Sequence, residues 1–397
     1  MTHFVGIDPA MEKHDICIQT EDGRVITELT IPHNLEGFEL FRCHLEKLDD
    51  VRIVIERSDG LLVDWLLQQA WSVYMLHPTI LNRRRPRRSK DDRGDAFLLA
   101  YLLRVGDPDC RPITRPSPLV QSLKQAAISY DNLSRSHRQY TNRLIYTLRQ
   151  FYPTAILAFP SVNSLTCLDF LEKYPTPGAA RALSIDEVDD FLRQHHYSAR
   201  TKCLPGIYAG LQAEMPDAAF PDALVVRLQT LIPIVRCFTL QLPLAEKQML
   251  TLFDQHPEAD WWRSFPGAGP LTAARLLAYI GDDRAHFPSP EVLQAVAGTA
   301  PVTRRSGKQL HVEFRKACVK SLRKTVIDLA RNSIAKSGWA RSYYNQQLSY
   351  GHASSRAFRA LANRWMAIIW KLWQTNEPYN EAVHVANRSR RGNRLTA

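Results

Sequence analysis

The sequence lacks the features that define several common classes of protein. Its seven cysteines are dispersed and no two form a C-x-x-C pair, so we expect reduced thiols and not a disulfide framework or a zinc site. No apolar run approaches the roughly 18 residues of a membrane helix, and the N-terminus lacks the basic-then-apolar pattern of a secretory signal. We therefore expect a cytoplasmic protein without a membrane partner.

Acidic residues are outnumbered. The chain has 51 Lys and Arg against 40 Asp and Glu, which gives a formal net charge of +11 and a pI near 9.4. Such a balance suits a polyanion partner, through phosphate contacts and counterion release. Ribosomal and membrane-surface proteins are basic too, so the charge selects only a class of partner. A length of 397 residues allows two or three domains with their own cores.

The first hundred residues predict an α/β domain. Short apolar strands and amphipathic helices follow the order β-β-β-α-β-α-β-loop-α, which indicates a mixed sheet with flanking helices. A tight turn is expected at Asp22-Gly23, and Asn34 is expected to cap the first helix. Asp8 and Glu56 each follow an apolar strand, and the carboxyl ends of such strands are where open α/β sheets bind ligands.

Charged residues are unusually dense between positions 83 and 95. Six cations come first and three acids follow; they are Arg83, Arg84, Arg85, Arg87, Arg88, Lys90, Asp91, Asp92 and Asp95. Asp92, Asp95, Leu99 and Leu102 share one helical stripe that should face a core. Spacing alone does not separate Asp91 from Asp92, and we prefer Asp92 because it shares this stripe with Asp95. We predict that the acids hold metal and that the cations contact nucleic acid.

Four acids in one predicted layer suit divalent cations. Asp8, Glu56, Asp92 and Asp95 offer hard oxygen ligands for two Mg²⁺ or Mn²⁺ ions, which sit roughly 3.5–4 Å apart in sites of phosphoryl transfer. Taken singly, an Asp at a strand end is usually a turn former, and a D-x-x-D at a helix start usually complements the helix dipole. Their combination beside six cations favours the metal site.

The middle of the chain predicts helices. After prolines between residues 106 and 118, a heptad seam runs from Leu119 to Leu144, so this helix either pairs with itself in a dimer or packs in a bundle. A second long apolar helical pattern, from Ala223 to Phe253, should be kinked or broken by Pro233 and Pro243.

The last third predicts a mainly helical domain with two loops of interest. A turn at Gly267 and Gly269 precedes a helix and is similar to the hairpin of helix-hairpin-helix modules, which bind phosphate, although a plain interhelical turn gives the same pattern. Ser306 lies in the second loop, where it is either part of a solvated loop or a nucleophile toward phosphate. Further cations that can contact nucleic acid are Arg304, Arg305, Lys308, Lys316, Lys320, Arg323 and Lys324.

Both halves of the chain resemble one family. Gly6-Ile7-Asp8, Glu56 and Lys90-x-Asp92-x-x-Asp95-Ala96 resemble the DEDD domain of the insertion-sequence-110 family of transposases, which itself resembles the pilin-gene inverting recombinases. Pro266 to Pro270, Ala297 to Pro301 and Ser306-Gly307 are similar to the transposase domain of that family.

The resemblance implies more than the residues show alone. It implies a RuvC-like, RNase H-type fold whose four acids bind divalent metal, and a Ser306 that attacks DNA phosphate to form a phosphoserine. It also implies a homo-dimer or tetramer in which the acids of one subunit meet the serine of another. A structured non-coding RNA would then guide donor and target DNA together, in the cytoplasm at the nucleoid.

The predicted organisation has three parts. Residues 1–105 form the RuvC-like metal-binding domain, 106–255 a coiled-coil-like and helical linker region, and 256–397 a C-terminal domain with the serine and a basic tail. The first alternative function is a metal-dependent nuclease or junction resolvase that uses water. An actin-like ATPase fits less well, because Asp8-Pro9-Ala10 is a poor phosphate loop. A non-enzymatic nucleic-acid-binding protein is the last alternative.

Overall fold

The chain forms two compact units. The computed structural model describes residues 1–69, 71–85, 92–216, 221–306, 309–383 and 386. The first unit is Met1–Arg115 and the second is Pro116–Ala397. The division into three parts at residues 105 and 255 remains a prediction.

The first unit is a mixed sheet with helices. Its strands are β1 (Thr2–Pro9), β2 (Lys13–Thr20), β3 (Val25–Pro32), β4 (Asp50–Ile55), β5 (Ser72–Met75) and β6 (Arg111–Pro112). Its helices are α1 (Leu35–Leu45), α2 (Leu61–Gln68), α3 (Pro78–Arg84) and α4 (Asp92–Arg104). The strand order is β3-β2-β1-β4-β5-β6, in which β1, β4 and β5 run parallel and the other neighbours pair antiparallel. This architecture confirms the expected mixed sheet and is consistent with an RNase H-like fold.

Local signals in the sequence explain several of these boundaries. Gly23 takes a φ of +88° in the turn between β2 and β3, a conformation that is strained for other residues. Asn34 caps α1, where its side-chain oxygen accepts a hydrogen bond from Gly37 N at 2.9 Å. Pro112 belongs to β6 at the edge of the sheet, which is the place that tolerates a residue without an N–H. Two of these features, the turn and the cap, were expected from the sequence.

The two faces of the sheet bury different sets of side chains. Val5 and Ile7 of β1 point to one face, where they pack with residues of α1 and α2. Phe4 points to the other face, where it packs with Val54 of β4 and with leucines of α4, including Leu99. Because side chains alternate along a strand, Gly6 and Asp8 also belong to the face that α4 covers.

The second unit is almost entirely helical in its described residues. Its helices are α5 (Pro118–Phe151), α6 (Pro153–Ala158), α7 (Leu165–Lys173), α8 (Pro177–Arg181), α9 (Ile185–Gln194), α10 (Arg200–Gln212), α11 (Pro221–Asp254), α12 (Ala259–Arg263), α13 (Pro270–Ile280), α14 (Pro290–Val296), α15 (Lys320–Lys336), α16 (Gly338–Ser349) and α17 (Ser354–Thr375), with a 3-10 turn at Arg284–His286. A two-stranded hairpin joins β7 (Val302–Ser306) to β8 (Gln309–Glu313). The sequence predicted a loop around Ser306, and the structure has this hairpin there instead.

Two long helices organise this unit. α5 and α11 have 34 residues each and pack along one another. One hydrophobic core includes Leu144 of α5 and Leu228 of α11, and a second includes Leu123 and Phe253 of the same helices. The seam of α5 therefore packs in a helical bundle, and pairing with a second copy of the chain remains a prediction.

α11 also corrects one expectation from the sequence. The helix continues through Pro233 and Pro243, so neither proline breaks it. Packing along α5 supplies contacts that offset the hydrogen bonds each proline removes. By length and composition α11 is apolar enough to cross a membrane, a test that core helices of soluble proteins also pass.

Candidate active site

Register and alternation bring the two strand-end acids to the same place. β1 and β4 are parallel neighbours in which Ile7 pairs with Ile55, so Asp8 and Glu56 are the next residues along adjacent strands. Gly6 and Val54 are paired residues on the face of the sheet that α4 covers. Because side chains alternate along a strand, Asp8 and Glu56 lie on that same face. The side chain of Asp8 is largely buried, with 9% of its surface exposed. Its charge therefore lies inside the unit, at the carboxyl edge of the sheet.

The approach of α4 depends on Gly6. A Cβ at this position would overlap the Ala96 carbonyl oxygen and would lie 2.5 Å from Ala100 N. Only glycine therefore lets the backbone of α4 lie directly on β1. This close packing fixes the first turn of α4 beside the end of β1.

Three carboxylates converge at that point. Asp92 opens α4 and is exposed, whereas Asp95 lies one turn later and has only 2% of its surface exposed. One oxygen each from Asp8, Asp92 and Asp95 can be chosen so that all three lie within 4.8 Å of one another. The stripe that the sequence predicted turns Asp95 inward as expected, whereas Asp92, which was also expected to face the core, is exposed at the first turn of the helix. Carboxylate oxygens at such separations are the donor set that Mg²⁺ and Mn²⁺ prefer, so the residues fit a divalent ion.

Glu56 is placed nearby but not within this group. It follows Ile55 at the end of β4 and is partly buried, yet the 4.8 Å group found among the described residues does not include its carboxylate. Its charge, with that of Asp8, acts on Arg85. Asp91 lies outside the described residues, so Asp92 is the member of the pair that the geometry describes.

Arg85 pairs with the most deeply buried acid of the group. Its Nε donates a hydrogen bond to Asp95 Oδ1 at 2.5 Å, and its terminal nitrogen contacts Asp95 Oδ2, which makes the pair bidentate. These hydrogen bonds raise the pKa of Arg85 above its usual value, and the charges of Asp95, Glu56 and Asp8 raise it further. The side chain is 15% exposed and that of Asp95 3%. The guanidinium of Arg85 thus offsets the negative charge of Asp95 at the place where a metal ion was predicted.

The other cations of this segment have different surroundings. Arg84 forms ion pairs with Asp107 at 3.1 Å and Asp109 at 3.6 Å, and Arg83 is exposed at the end of α3. Arg87, Arg88 and Lys90 lie outside the described residues. The sequence treated all six as contacts for nucleic acid and missed the pairing of Arg85, because no spacing rule connects a loop arginine to an acid ten positions later.

Ser306 belongs to the second unit. It pairs with Gln309 in the last described pair of the β7–β8 hairpin, and Gly307 and Lys308 lie outside the described residues. Arg304 pairs with His311 and Arg305 with Leu310 in the same hairpin. The hairpin thus places Ser306 on the same short strand as Arg304 and Arg305.

The two glycines of the turn that was predicted to bind phosphate have different surroundings. Gly267 has a φ of +88°, and a Cβ there would lie 2.6 Å from Ser333 N, so this glycine is packed against α15. Gly269 has open space around it at the start of α13. A role for either glycine in binding phosphate remains a prediction.

The cations near α15 fall into two groups. Arg323 donates a hydrogen bond to the Arg315 carbonyl oxygen at 2.9 Å and lies over the Phe314 ring. Lys316, Lys320 and Lys324 are exposed. Arg323 is therefore occupied by protein groups, whereas the lysines face solvent.

Comparisons with known proteins match both the part of the chain that carries the acids and the part that carries Ser306. The DEDD transposase profile of the IS110 group matches residues 5–153, and a second profile, for transposases of the IS116/IS110/IS902 family, matches residues 260–345. The first match spans the converging acids and the second spans Ser306. The protein named "Mini-circle putative transposase for IS117" of Streptomyces coelicolor is 30% identical over 398 residues, which cover 96% of each chain.

Two further relatives come from insertion elements. The IS110 protein of 43.6 kDa from Streptomyces coelicolor is 23% identical over 96% of each chain. The IS900 protein of 42 kDa from Mycobacterium paratuberculosis is 28% identical over 58% of each chain. One relative is 30% identical over nearly its full length, and the two family profiles match successive parts of the sequence. The chain therefore belongs to the IS110 family of transposases.

Proposed function

We propose that this protein is a DNA transposase and site-specific recombinase that cuts and exchanges strands with a carboxylate site and a serine nucleophile. The observation that carries the proposal is the convergence of Asp8, Asp92 and Asp95 within 4.8 Å at the carboxyl edge of the sheet. Family membership supplies DNA as the substrate. The exposed cations of the chain supply the attraction to it.

The acids would hold one or two Mg²⁺ or Mn²⁺ ions. Asp8, Asp92 and Asp95 would hold the ion, and Glu56, at the end of the neighbouring strand, is proposed as a fourth ligand. When bound, such ions withdraw charge from a phosphate and lower the pKa of a coordinated hydroxyl. The guanidinium of Arg85 would compete with an ion for the carboxylate of Asp95, and once released it would be available to a phosphate oxygen.

Ser306 would supply the nucleophile. Its Oγ forms a bond to phosphorus while the bond from phosphorus to one sugar oxygen breaks, and the proton of the serine passes to that leaving oxygen. Arg304 and Arg305 share a strand with Ser306, Lys308 lies two positions later in the sequence, and these cations would stabilise the charge on the phosphate. Attack by the freed sugar hydroxyl of another strand on the phosphoserine reverses this chemistry and completes strand exchange.

The acids and the serine lie in different units, which is the basis for proposing an oligomer. A homo-dimer or tetramer would let the acids of one subunit act with the serine of another. A structured non-coding RNA is proposed as the guide that pairs with donor and target DNA, as the family resemblance implies.

The proposal is tested by trapping the covalent intermediate. The protein is incubated with its cognate element ends, its RNA and Mg²⁺, then denatured, and protein–DNA adducts are measured. We expect an adduct with the natural protein, none with Ser306→Ala, and an unchanged adduct with Thr303→Ala, an exposed hydroxyl on the same strand. Cleaved ends without an adduct would contradict the serine mechanism and favour a water-using nuclease.

Mixing tests the sharing of sites between subunits. Ser306→Ala and Asp95→Asn should each be inactive alone, and their mixture should recover part of the activity if one subunit supplies acids and another supplies serine. A mixture as inactive as its components would place both groups in the same subunit.

A further inference from the structure

A small cavity between α5 and α15 gathers positive charge. Its volume is about 210 Å³, and its lining residues come from two successive turns of α5 and the start of α15; they are Asp131, Arg135, Arg138, Lys320, Ser321 and Lys324. Arg135 and Arg138 on α5 were not singled out by the sequence, because they lie outside the heptad seam of that helix. The cavity unites them with two lysines that follow almost two hundred residues later.

The four cations of this cavity are exposed and are not offset by nearby acids. Within the part of the chain that the structure describes, no carboxylate lies within 4.0 Å of the charged nitrogens of Arg135, Arg138, Lys320 or Lys324. The one carboxylate in the lining, Asp131, is already paired inside the protein. The lining therefore keeps a strong positive charge.

The pairing of Asp131 is specific and buried. Arg275 lies 2.8 Å from its Oδ1, and the Tyr279 hydroxyl donates to its Oδ2 at 2.7 Å. Arg275 and Asp131 have 4% and 6% of their surfaces exposed. This pair neutralises the acid beneath the cavity, so it does not repel an anion at the surface.

The start of α15 adds a further reason to expect an anion. Lys320 is its first residue and Lys324 follows one turn later, while the first turn contains no acid and no side chain caps it. Cations at the positive end of a helix dipole, and like charges at i and i+4, both raise the free energy of the folded chain. The same groups, with the free N–H groups of the first turn, stabilise a bound anion.

We propose that this cavity binds a backbone phosphate of the nucleic acid on which the protein acts. Its volume is below the 300–1,000 Å³ or so of pockets that enclose whole small molecules, so it suits one phosphate and not a nucleotide. The proposal relies on the proposed function only for the identity of the macromolecule. It assigns Arg135, Arg138, Lys320 and Lys324 as contacts that are independent of base sequence.

The test measures binding of a random-sequence DNA duplex and of an RNA hairpin over a series of salt concentrations. The cavity variant is Arg135→Gln with Lys320→Gln. The matched control is Lys124→Gln with Lys336→Gln, which removes one exposed cation from each of the same helices but outside the cavity. Both proteins keep Ser306 and the acids, so the adduct assay reports the proposed chemistry separately.

We expect the cavity variant to bind about tenfold or more weakly, with the slope of log K against log salt lowered by about 2, as for the loss of two phosphate contacts. The control should stay within about twofold. If the cavity variant binds only the duplex more weakly, the phosphate belongs to DNA. If it binds only the hairpin more weakly, the phosphate belongs to RNA. A cavity variant that binds both ligands as the control does would overturn the proposal.

Sulfate provides a second readout that needs no nucleic acid. It should raise the melting temperature of the natural protein and of the control more than that of the cavity variant, because only they retain the site. Equal stabilisation of all three proteins would also overturn the assignment.

Discussion

The acid cluster of the N-terminal unit and the basic cavity of the C-terminal unit both collect one sign of charge from separate elements. They differ in burial. Asp8 and Asp95 are almost fully enclosed, with Arg85 as a local counter-charge, whereas the four cations of the cavity stand in solvent above a neutralised Asp131. Buried charges held by backbone packing suit a small ion that needs fixed ligands, whereas exposed charges suit a polyanion attracted through salt-sensitive contacts.

The largest effect should come from the packing that holds the acids together. Gly6→Val places a branched side chain against the backbone of α4, so we expect the N-terminal unit to lose about 4 kcal/mol of stability or to fail to fold. Chemical denaturation measures this loss. Gly178→Ala, where a Cβ meets nothing within 4 Å, is the control and should cost little. A stable Gly6→Val protein would show that α4 does not rest on β1 as described.

The buried pair beneath the basic cavity should come next. Arg275→Met leaves the Asp131 carboxylate buried without its cation, at a cost of about 3 kcal/mol. Denaturation of Arg275→Met and of the double variant with Asp131→Asn should show that the second change restores part of the loss. If the single variant were as stable as the natural protein, Arg275 would not be needed to neutralise Asp131, and the claim that this acid is neutralised beneath the cavity would be wrong.

Acid should weaken the N-terminal unit through His14. Burial chiefly, and then the charge of His33, lower the pKa of His14 from 6.5 to about 4, and its Nε2 lies 2.7 Å from His33 Nδ1. Between these pH values the unfolded chain binds the proton and the folded chain does not, so stability falls as the pH falls from 6.5 to about 4.

We expect this loss to be about 2 kcal/mol over that window. Urea denaturation at pH values on either side of the window measures it, and the dependence should largely disappear in His14→Gln. An identical loss in the variant would assign it to other groups.

The smallest effect concerns the competition between Arg85 and metal. Because Arg85 holds Asp95 in a bidentate pair, Arg85→Ala should bind Mn²⁺ about tenfold more tightly by titration calorimetry, the equivalent of one lost charge-assisted hydrogen bond. Arg83→Ala removes an exposed cation of the same segment and serves as the control. Weaker binding in Arg85→Ala would mean that this residue helps the ion instead of competing with it.

The same two regions show what the sequence can reveal. The strand that carries Asp8 and the inward position of Asp95 and Leu99 follow from period-2 and period-3.6 patterns, which are local, so both were predicted correctly; the inward position expected for Asp92 was wrong. The position of Glu56 outside the 4.8 Å group depends on tertiary geometry, which no local pattern encodes.

Contacts between distant segments escaped prediction for the same reason. The pairing of Arg85 with Asp95, and the presence of Arg135 and Lys320 in one cavity, require the tertiary arrangement of helices. The hairpin around Ser306 was missed because its strands are short and rich in cations, which resemble a solvated loop. The continuity of α11 through two prolines was missed because packing along α5 outweighs the local cost.

One titration tests the central claim, that the converging acids form a divalent-metal site. Mn²⁺ is added to the natural protein, to Asp95→Asn and to Asp49→Asn, an exposed acid beside the opposite end of β4, and bound ion is measured by electron paramagnetic resonance. The account predicts saturable binding to the natural protein and to Asp49→Asn, with affinity lowered at least about tenfold in Asp95→Asn. Equal binding by all three proteins, or none by the natural protein, would contradict it.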